Sequence, residues 1–324
     1  MELAGITGYL ISFLTFVGIY AVLVLGLNSQ WGFTGQFNIG IAGFFAVGAY
    51  TSAILTTPGS PAYLGGFGLP FVVGLAGAVL ASVIIGLAIG LITARLRTDY
   101  LAIATIGIAE MIRLFIKNED WLTNGVRGIA GITRPLAGTP LDSPFGYLLI
   151  VALFVVLAYF LVERAYISPW GRVLRAIREN EPATAAAGKS IARFRLQAFV
   201  LGSALMGLGG GLYAHFFGFL SPEAFKPLYG TFIIWVMLIA GGSGNNRGAL
   251  LGALVVWGVW TGTELVTGLL PSQHATQGAA LRVLLIGVLL QVILLTRPQG
   301  LLPEKPPKLI ARRPEKAQRS QRPS

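Results

Sequence analysis

Long apolar runs dominate this sequence, and they restrict the possible folds more than any other feature. A helix needs roughly 17–25 apolar residues to cross a bilayer. Runs of that order lie near 7–28, 32–55, 69–93, 100–116, 146–163, 197–218, 229–241, 248–270 and 280–296. Backbone N–H and C=O groups find no water inside lipid, so such runs must be helical. The sequence therefore predicts an all-α integral membrane protein with about eight or nine transmembrane helices.

Two of the runs leave the number of crossings open. The run 229–241 is short for a full crossing, and 32–55 begins in a stretch rich in glycine and amide side chains. Each is either a full span or a re-entrant segment. The first run lacks a basic region before it and a small-residue cleavage site, so we interpret it as a retained span. We predict one transmembrane domain over residues 1–300, because 54% hydrophobic residues is too many for a soluble domain of this length.

Positive charge is distributed unevenly between the two sides that these spans define. With the N-terminus outside, 18 of the 24 Lys and Arg residues fall on the side of the loop 164–196 and the C-terminal tail. Lys and Arg are enriched on the cytoplasmic side, so that loop and the C-terminus are predicted to be cytoplasmic. The net charge of +11 is thus explained by topology, and no nucleic acid partner is expected. The basic, Pro-rich segment 301–324 is predicted to be a disordered tail touching anionic lipid headgroups.

The loop 164–196 contains Gly188-Lys189-Ser190, which resembles the end of a phosphate-binding loop. Such a loop requires a glycine five positions before Gly188, and Ala183 stands there instead. No strand pattern precedes it. We therefore expect no nucleotide site and no ATP hydrolysis by this chain.

The same loop has the sequence signals of two short, well-capped helices. Ser168-Pro169 is typical of a helix start, Asn180 can cap a second helix, and Gly188 can close it in a left-handed turn. Between these caps the side chains are almost all methyl groups, which suits a helix that slides into a groove on another protein. The alternative is a plain connector. The docking residues are predicted to be Arg175, Arg178, Glu179, Glu181, Ala183, Ala185, Ala186 and Gly188.

Polar residues inside the apolar runs are candidates for a substrate pathway, because burying them in lipid is costly. The block 28–40 supplies Asn28, Gln30, Thr34, Gln36 and Asn38 among glycines that permit irregular backbone beside a water-filled cavity. The alternative is a polar cytoplasmic turn. The segment 240–253 has a similar composition of glycine and asparagine, which raises the hypothesis of an internal repeat.

Charged residues in the spans form a second set of pathway candidates. Glu110 and Arg113 are three residues apart on one helix and are predicted to form an ion pair. Glu264 is expected to face Arg282 or a partner subunit. His215 and His274 are placed near the outer surface without a second ligand, so neither a metal nor any other cofactor is expected in this chain.

Small residues form a ladder in the run 69–93, at Ala78, Ser82, Gly86 and Gly90, and glycines cluster in 197–218. This spacing predicts static close packing of helices; sliding of the two helices is the alternative.

Several blocks in order resemble the permeases of branched-chain amino acid transporters of the ABC class, and the LivM-type subunit in particular. These blocks are "GLNSQWGFTGQFNIGIAGFFAVGAY" (26–50), "LRTDYLAIATIGIAEMIRL" (96–114), "NGVRGIAGI" (124–132), "GRVLRAIRENEPATAAAG" (171–188) and "GLYAHFFGFLSPEAF" (211–225). The resemblance covers roughly 20–300. Pro182 and the long basic tail depart from the family pattern.

The resemblance implies a multi-pass subunit of the bacterial inner membrane that works with other proteins. These are a second, related permease, two ATP-binding subunits and a periplasmic binding protein, with the loop 164–196 contacting the ATP-binding subunits. Its expected cargo is leucine, isoleucine and valine, with urea or short amides as the alternative within the family.

A carrier driven by an ion gradient is the alternative from another class. Such a carrier needs a relay of buried titratable groups, and Glu110 and Glu264 are too few to require one. An intramembrane enzyme needs a catalytic cluster at depth, and the sequence offers none.

The charge asymmetry predicts the location of inserted tags. A tag after residue 324 and one at residue 185 should both report the cytoplasm, while a tag at residue 60 should report the periplasm. Protease accessibility in intact spheroplasts measures this directly. Cleavage at residue 185 from outside would contradict the predicted orientation.

Overall fold

The computed structural model describes residues 2–61, 63–93, 96, 98–135, 142–267 and 275–304. Helices dominate this part of the chain. They are α1 Glu2–Leu27, α2 Ile41–Thr56, α3 Phe71–Thr93, α4 Thr98–Asn118, α5 Asp120–Thr123, α6 Pro144–Ile167, α7 Pro169–Glu179, α8 Glu181–Ala186, α9 Ile191–Phe217, α10 Ile233–Gly241, α11 Asn246–Thr267 and α12 Ala275–Thr296. Short π-helices occupy Asn28–Gly32 and Leu228–Phe232, and short 3-10 helices occupy Gly125–Arg127 and Pro222–Phe225.

Four helices of the described residues are long and apolar enough to cross a membrane, judged by length and composition. They are Gly5–Gly32, Phe71–Thr93, Pro144–Ile167 and Ile191–Phe217. Shorter apolar helices lie at Ile41–Thr56, Leu228–Gly241 and Ala280–Thr296. The helices agree with the predicted all-α membrane class, while the count of about eight or nine spans stays a prediction.

One pair of short strands was not predicted. β1 (Ile129–Ala130) and β2 (Phe219–Leu220) pair antiparallel, with Ile129 opposite Leu220. They join the segment after α5 to the segment after α9. The pair therefore fixes two connecting segments at the same end of the bundle.

The predicted span 32–55 differs from the helix that forms there. α2 begins only at Ile41; the residues before it form the π-helix Asn28–Gly32 and then an irregular stretch over 35–40. α2 is 16 residues long, about 24 Å at the usual rise, and it is buried on nearly all sides. A helix surrounded by protein needs no lipid-spanning length of its own. Glycine and amide residues favour irregular backbone before it, which the count of apolar residues alone does not register.

The core forms where α9 packs against α1, α2 and α3 through small residues. A β-carbon added at Gly48 of α2 would lie 2.1 Å from the carbonyl oxygen of Gly207 on α9. One added at Gly207 would lie 2.1 Å from Ser82 Oγ on α3. The predicted ladder faces this contact, since Ala78, Ser82, Gly86 and Gly90 are all buried. The prediction of close packing is therefore confirmed.

The chain after α12 folds back onto the bundle. Leu301 N donates to Ala240 O at 2.9 Å, and Leu302 N donates to Gly241 O at 2.9 Å. Docked chain thus extends to Glu304, beyond the boundary at residue 301 that the sequence predicted for the tail. The backbone N–H groups of this segment thereby pair with carbonyl groups at the end of α10 that have no partner within the helix. Residues 305–324 of the predicted tail lie outside the described residues.

The glycine contacts predict a sensitive position and a matched control. We expect Gly48→Ala to destabilise the protein by about 1–3 kcal/mol, because the new methyl group meets backbone that cannot move aside. Gly287 of α12 is exposed, with nothing within 4 Å of an added β-carbon. Gly287→Ala should be neutral or stabilising by up to about 1 kcal/mol, since it only raises helix propensity. Thermal unfolding in detergent compares the two; equal melting temperatures would contradict the packing argument.

Candidate functional site

The two helices predicted in the loop 164–196 are present, with the predicted caps. Ser168 Oγ accepts from Gly171 N at 3.3 Å at the start of α7. Asn180 Oδ1 accepts from Ala183 N at 3.0 Å at the start of α8. Gly188 follows α8 with φ +76°, a conformation that side chains with a β-carbon rarely adopt. The local sequence signals therefore predicted the bounds of this helix pair correctly.

α7 is held against the bundle by its apolar face and by two of its arginines. Leu174 and Ile177 are buried. Arg175 lies over the ring of Tyr166, with Cζ 4.2 Å from the ring centroid. Arg178 also points toward the bundle: it donates to the carbonyl oxygen of Gly32 and pairs with Glu304. The docking role of Arg178 stays a prediction, and its side chain already has these partners within the chain.

α8 presents a surface of very small side chains. Ala183, Ala185 and Ala186 are exposed, and Thr184 turns inward. Glu181 is anchored to α9, with its carboxylate 2.8 Å from Arg195 Nη2. Glu179 is exposed at the end of α7. The exposed side of α8 is therefore shallow, and a partner groove can approach its backbone closely.

The polar residues of the block 28–40 are buried and bonded to one another. Asn38 Nδ2 donates to Gln30 Oε1 at 2.8 Å, and Gln30 Nε2 donates to Phe199 O of α9 at 2.8 Å. Thr34 Oγ1 donates to Gln36 Oε1 at 3.0 Å. This network supplies hydrogen-bond partners that the irregular backbone and the amides need at depth. Sequence reasoning grouped these residues correctly but did not foresee their mutual bonds.

The structure also brings the two clusters of glycine and asparagine into direct contact. Asn28 Nδ2 donates to Asn246 Oδ1 at 2.8 Å, and Gly244 N donates to Asn28 Oδ1 at 2.8 Å. Asn246 Nδ2 then donates to Glu163 Oε2 at 2.8 Å. The two segments thus share one hydrogen-bond network, and the internal repeat stays a hypothesis. A pathway role for Asn28, Thr34, Gln36 and Asn38 stays a prediction.

Glu110 and Arg113 form the predicted ion pair, as part of a larger charge cluster. Arg113 Nε donates to Glu110 Oε2 at 2.9 Å, and Arg113 Nη1 lies 3.7 Å from Glu223 Oε1. Lys117 and Lys226 also contact Glu223, at 3.3 and 2.5 Å. The hydrogen bonds from Lys226 and then from Lys117 lower the pKa of the Glu223 carboxyl from its ordinary value. The cluster offers carboxylates and cations together, the two partners that a zwitterion needs.

The structure also gives the partners of two further titratable residues, Glu264 and His215. Glu264 lies 3.6 Å from Arg282, which confirms one of the two expected neighbours. His215 is completely buried: its ring nitrogens lie 3.0 Å from Ser52 Oγ and 2.7 Å from Thr133 O. Within the described residues no group of three or more potential ligands is placed to hold a metal ion. His274 lies outside those residues.

Sequence reasoning missed an apolar groove between α2, α3 and α4, of about 410 Å³. Ile85, Met111 and Phe115 are among its lining residues. The Tyr50 hydroxyl also lies there, buried and without a hydrogen-bond partner among the described atoms. The groove depends on the spacing of three helices, which no local pattern encodes.

The fold and these sites define an all-α, multi-pass membrane protein with a capped helix pair at one end of its bundle. Comparison with known families then gives the particular family. A model of the permease component of branched-chain amino acid transport systems matches residues 9–294. The chain belongs to this family.

Curated relatives of the chain include LivM proteins, which confirms the resemblance to the LivM type. The chain is 33% identical to the high-affinity branched-chain amino acid transport permease LivM of Salmonella typhimurium, over 91% of this chain and 70% of that protein. It is 30% identical to the probable LivM of Methanocaldococcus jannaschii, over 90% of this chain and 93% of that protein. LivH of Salmonella typhimurium is 23% identical over 73% of the chain and 79% of that protein. No solved structure matches the chain.

The Glu110–Arg113 pair predicts unequal effects of two substitutions. Arg113 is only 15% exposed, so Glu110→Ala leaves a poorly solvated cation whose remaining carboxylate, Glu223, is 3.7 Å away, and it should cost about 1–3 kcal/mol of stability. The double exchange Glu110→Arg with Arg113→Glu keeps a pair and should cost less. Membrane accumulation and thermal unfolding measure both. Near wild-type stability of Glu110→Ala would mean that the pair is well solvated.

Proposed function

We propose that this chain is the LivM-type permease subunit of an ABC importer in the bacterial inner membrane. Family membership across residues 9–294 carries this proposal. The exposed, capped helix α8 supports it, because an importer permease needs a cytoplasmic contact for its ATP-binding subunits. ATP hydrolysis belongs to those subunits, and this chain supplies the path through the membrane.

The proposed assembly contains a second, related permease beside this chain. Similarity to LivH as well as LivM supports such a pairing of related subunits. Two ATP-binding subunits would contact α7 and α8 from the cytoplasm. A periplasmic binding protein would deliver the substrate at the opposite end.

The proposed orientation follows from the positive charge and from the two ends of the bundle. α7, α8 and the C-terminal segment 297–304 meet at one end, which we assign to the cytoplasm. The cluster around Glu223 lies near the other end of α4, which we assign to the periplasm. This places Glu110 on the side where substrate arrives.

The proposed substrates are the branched-chain amino acids leucine, isoleucine and valine. A zwitterion entering from the periplasm can exchange its hydration for the carboxylate of Glu110 and for the cations near Glu223. Deeper in the bundle, Asn28, Thr34, Gln36 and Asn38 are the proposed polar groups beside the path. Glu264, in the outer part of α11, is a further candidate at the entrance.

The small side chains of α8 predict how the coupling contact fails. Ala185→Trp and Ala186→Glu should each abolish uptake, because either side chain would prevent close approach of an ATP-binding subunit. Gly188→Val should act similarly, at a cost of roughly 1 kcal/mol or more for the left-handed turn. Co-purification of the ATP-binding subunits with each variant measures the contact, alongside uptake of radiolabelled leucine.

A matched control places the same bulk elsewhere. Ala76 is exposed on α3, away from the helix pair, so Ala76→Trp should retain both the ATP-binding subunits and uptake. All variants should reach the membrane, since α8 contributes little to the buried core. Normal uptake and normal co-purification by the three variants in and after α8 would identify the loop as a connector.

A further inference from the structure

Arg178 lies in a niche next to three glycines, Gly32, Gly35 and Gly244. Its guanidinium donates to the carbonyl oxygen of Gly32, the last residue of the π-helix. A β-carbon at Gly35 would lie 3.4 Å from Arg178 Cγ, and one at Gly244 would lie 3.1 Å from Arg178 Nη1. The niche thus combines residues from three distant parts of the sequence. A side chain at Gly244 would crowd the place that the arginine and Glu304 fill, since a β-carbon there would also lie 2.7 Å from Glu304 Oε2.

The C-terminal segment holds the arginine in this niche. Arg178 Nη2 lies 2.7 Å from Glu304 Oε2, and the other oxygen of Glu304 accepts from the Tyr166 hydroxyl at 3.0 Å. Both charged side chains are only 25% exposed. Asn245 Nδ2 donates to Leu302 O and Pro303 O at 3.2 and 3.0 Å, which fixes the chain just before Glu304. Glu304 is therefore placed by several contacts and is not a loose surface partner.

The arginine connects α7 to the polar network at the end of α1. Gly32 lies against Asn28, because a β-carbon there would be 2.0 Å from Asn28 Oδ1 and 2.7 Å from Gly244 N. Asn28 is in turn bonded to Gly244 and Asn246. These contacts give a continuous chain from α7 through the guanidinium to Gly32 and from Gly32 to Asn28. Each link is a hydrogen bond or a direct van der Waals contact.

We propose that Arg178 is the positioning residue that transmits movement of α7 and α8 to the polar block 28–40, and that Glu304 holds it in place. This inference rests on the proposed function. Arginine suits the task because its planar fork donates to a carbonyl and a carboxylate at once. Lysine has a single point of attachment and cannot span both acceptors with the same geometry.

The test uses the complete transporter, reconstituted with its ATP-binding subunits, second permease and binding protein. The variants are Arg178→Gln, Arg178→Lys, Glu304→Gln and the double variant Arg178→Gln with Glu304→Gln. Arg193→Gln removes the same charge from an exposed position on α9, outside α7 and α8, and is the control. Leucine uptake, co-purification of the ATP-binding subunits, and hydrogen–deuterium exchange with and without trapped nucleotide are measured.

We expect Arg178→Gln to keep the ATP-binding subunits but to lose uptake about tenfold or more. Arg178→Lys should lose nearly as much, and Glu304→Gln should lose several-fold. The double variant should lose no more uptake than Arg178→Gln, because both changes break the same connection. In the wild type, trapped nucleotide should change hydrogen exchange in both 180–188 and 28–40. In Arg178→Gln it should change exchange in 180–188 only. A purely structural role would not separate these two regions.

Uptake by Arg178→Gln within twofold of wild type would overturn the proposal. So would an unchanged nucleotide response in 28–40. If Arg178→Gln fails to accumulate in the membrane, Glu304→Gln decides, and wild-type uptake by that variant would overturn the proposal. Failure of the proposed function looks different, since the wild-type chain would then bind no ATP-binding subunit at all.

Discussion

The requirement that polar groups find partners without water determines the interior of this protein. Inside a bilayer, an unpaired N–H, C=O or amide costs several kcal/mol. The chain nevertheless leaves α-helical geometry between Asn28 and Gly40, in a segment buried among other helices. It does so where α9, α10 and α11 supply partners: Phe199 O accepts from Gln30, and Trp235 Nε1 donates to Asn38 O at 3.0 Å. The irregular segment exists because surrounding helices replace the missing water.

That requirement also explains why small residues surround the segment. Amides and backbone can bond across helices only if the helix axes come close together, and a β-carbon at Gly202 would lie 2.6 Å from Gln30 Nε2. A β-carbon at Gly40 would lie 2.6 Å from Thr105 O of α4. The hydrogen bonds between helices therefore depend on the close packing of the same helices. Larger side chains at these contacts would separate the helices and leave the polar groups without hydrogen-bond partners.

Features encoded over a few residues were predictable from the sequence. The caps at Ser168 and Asn180, the turn at Gly188 and the pair Glu110–Arg113 depend on neighbours within about four residues. The position of Arg178 was not predictable, because Gly32 and Glu304 are 146 and 126 residues away. The spacing of apolar residues on α7 gives no indication of such distant partners. Residues far away in the sequence instead form the niche that holds its charge. The contact between Lys117 and Glu223 was not predictable for the same reason.

The placement of charges and amides suits a protein whose interior must open and close. Ionic groups lie near the two ends of the bundle, in the cluster at Glu223 and in the pair Arg178–Glu304. Between them, Asn28, Gln30 and Asn38 make neutral hydrogen bonds. Separating a buried ion pair leaves an uncompensated charge, whereas an amide that loses one neutral partner can bond to water or substrate at little net cost. A permease interior built from amides can therefore exchange its internal bonds for bonds to a passing solute, while ion pairs at the ends keep the helices in register.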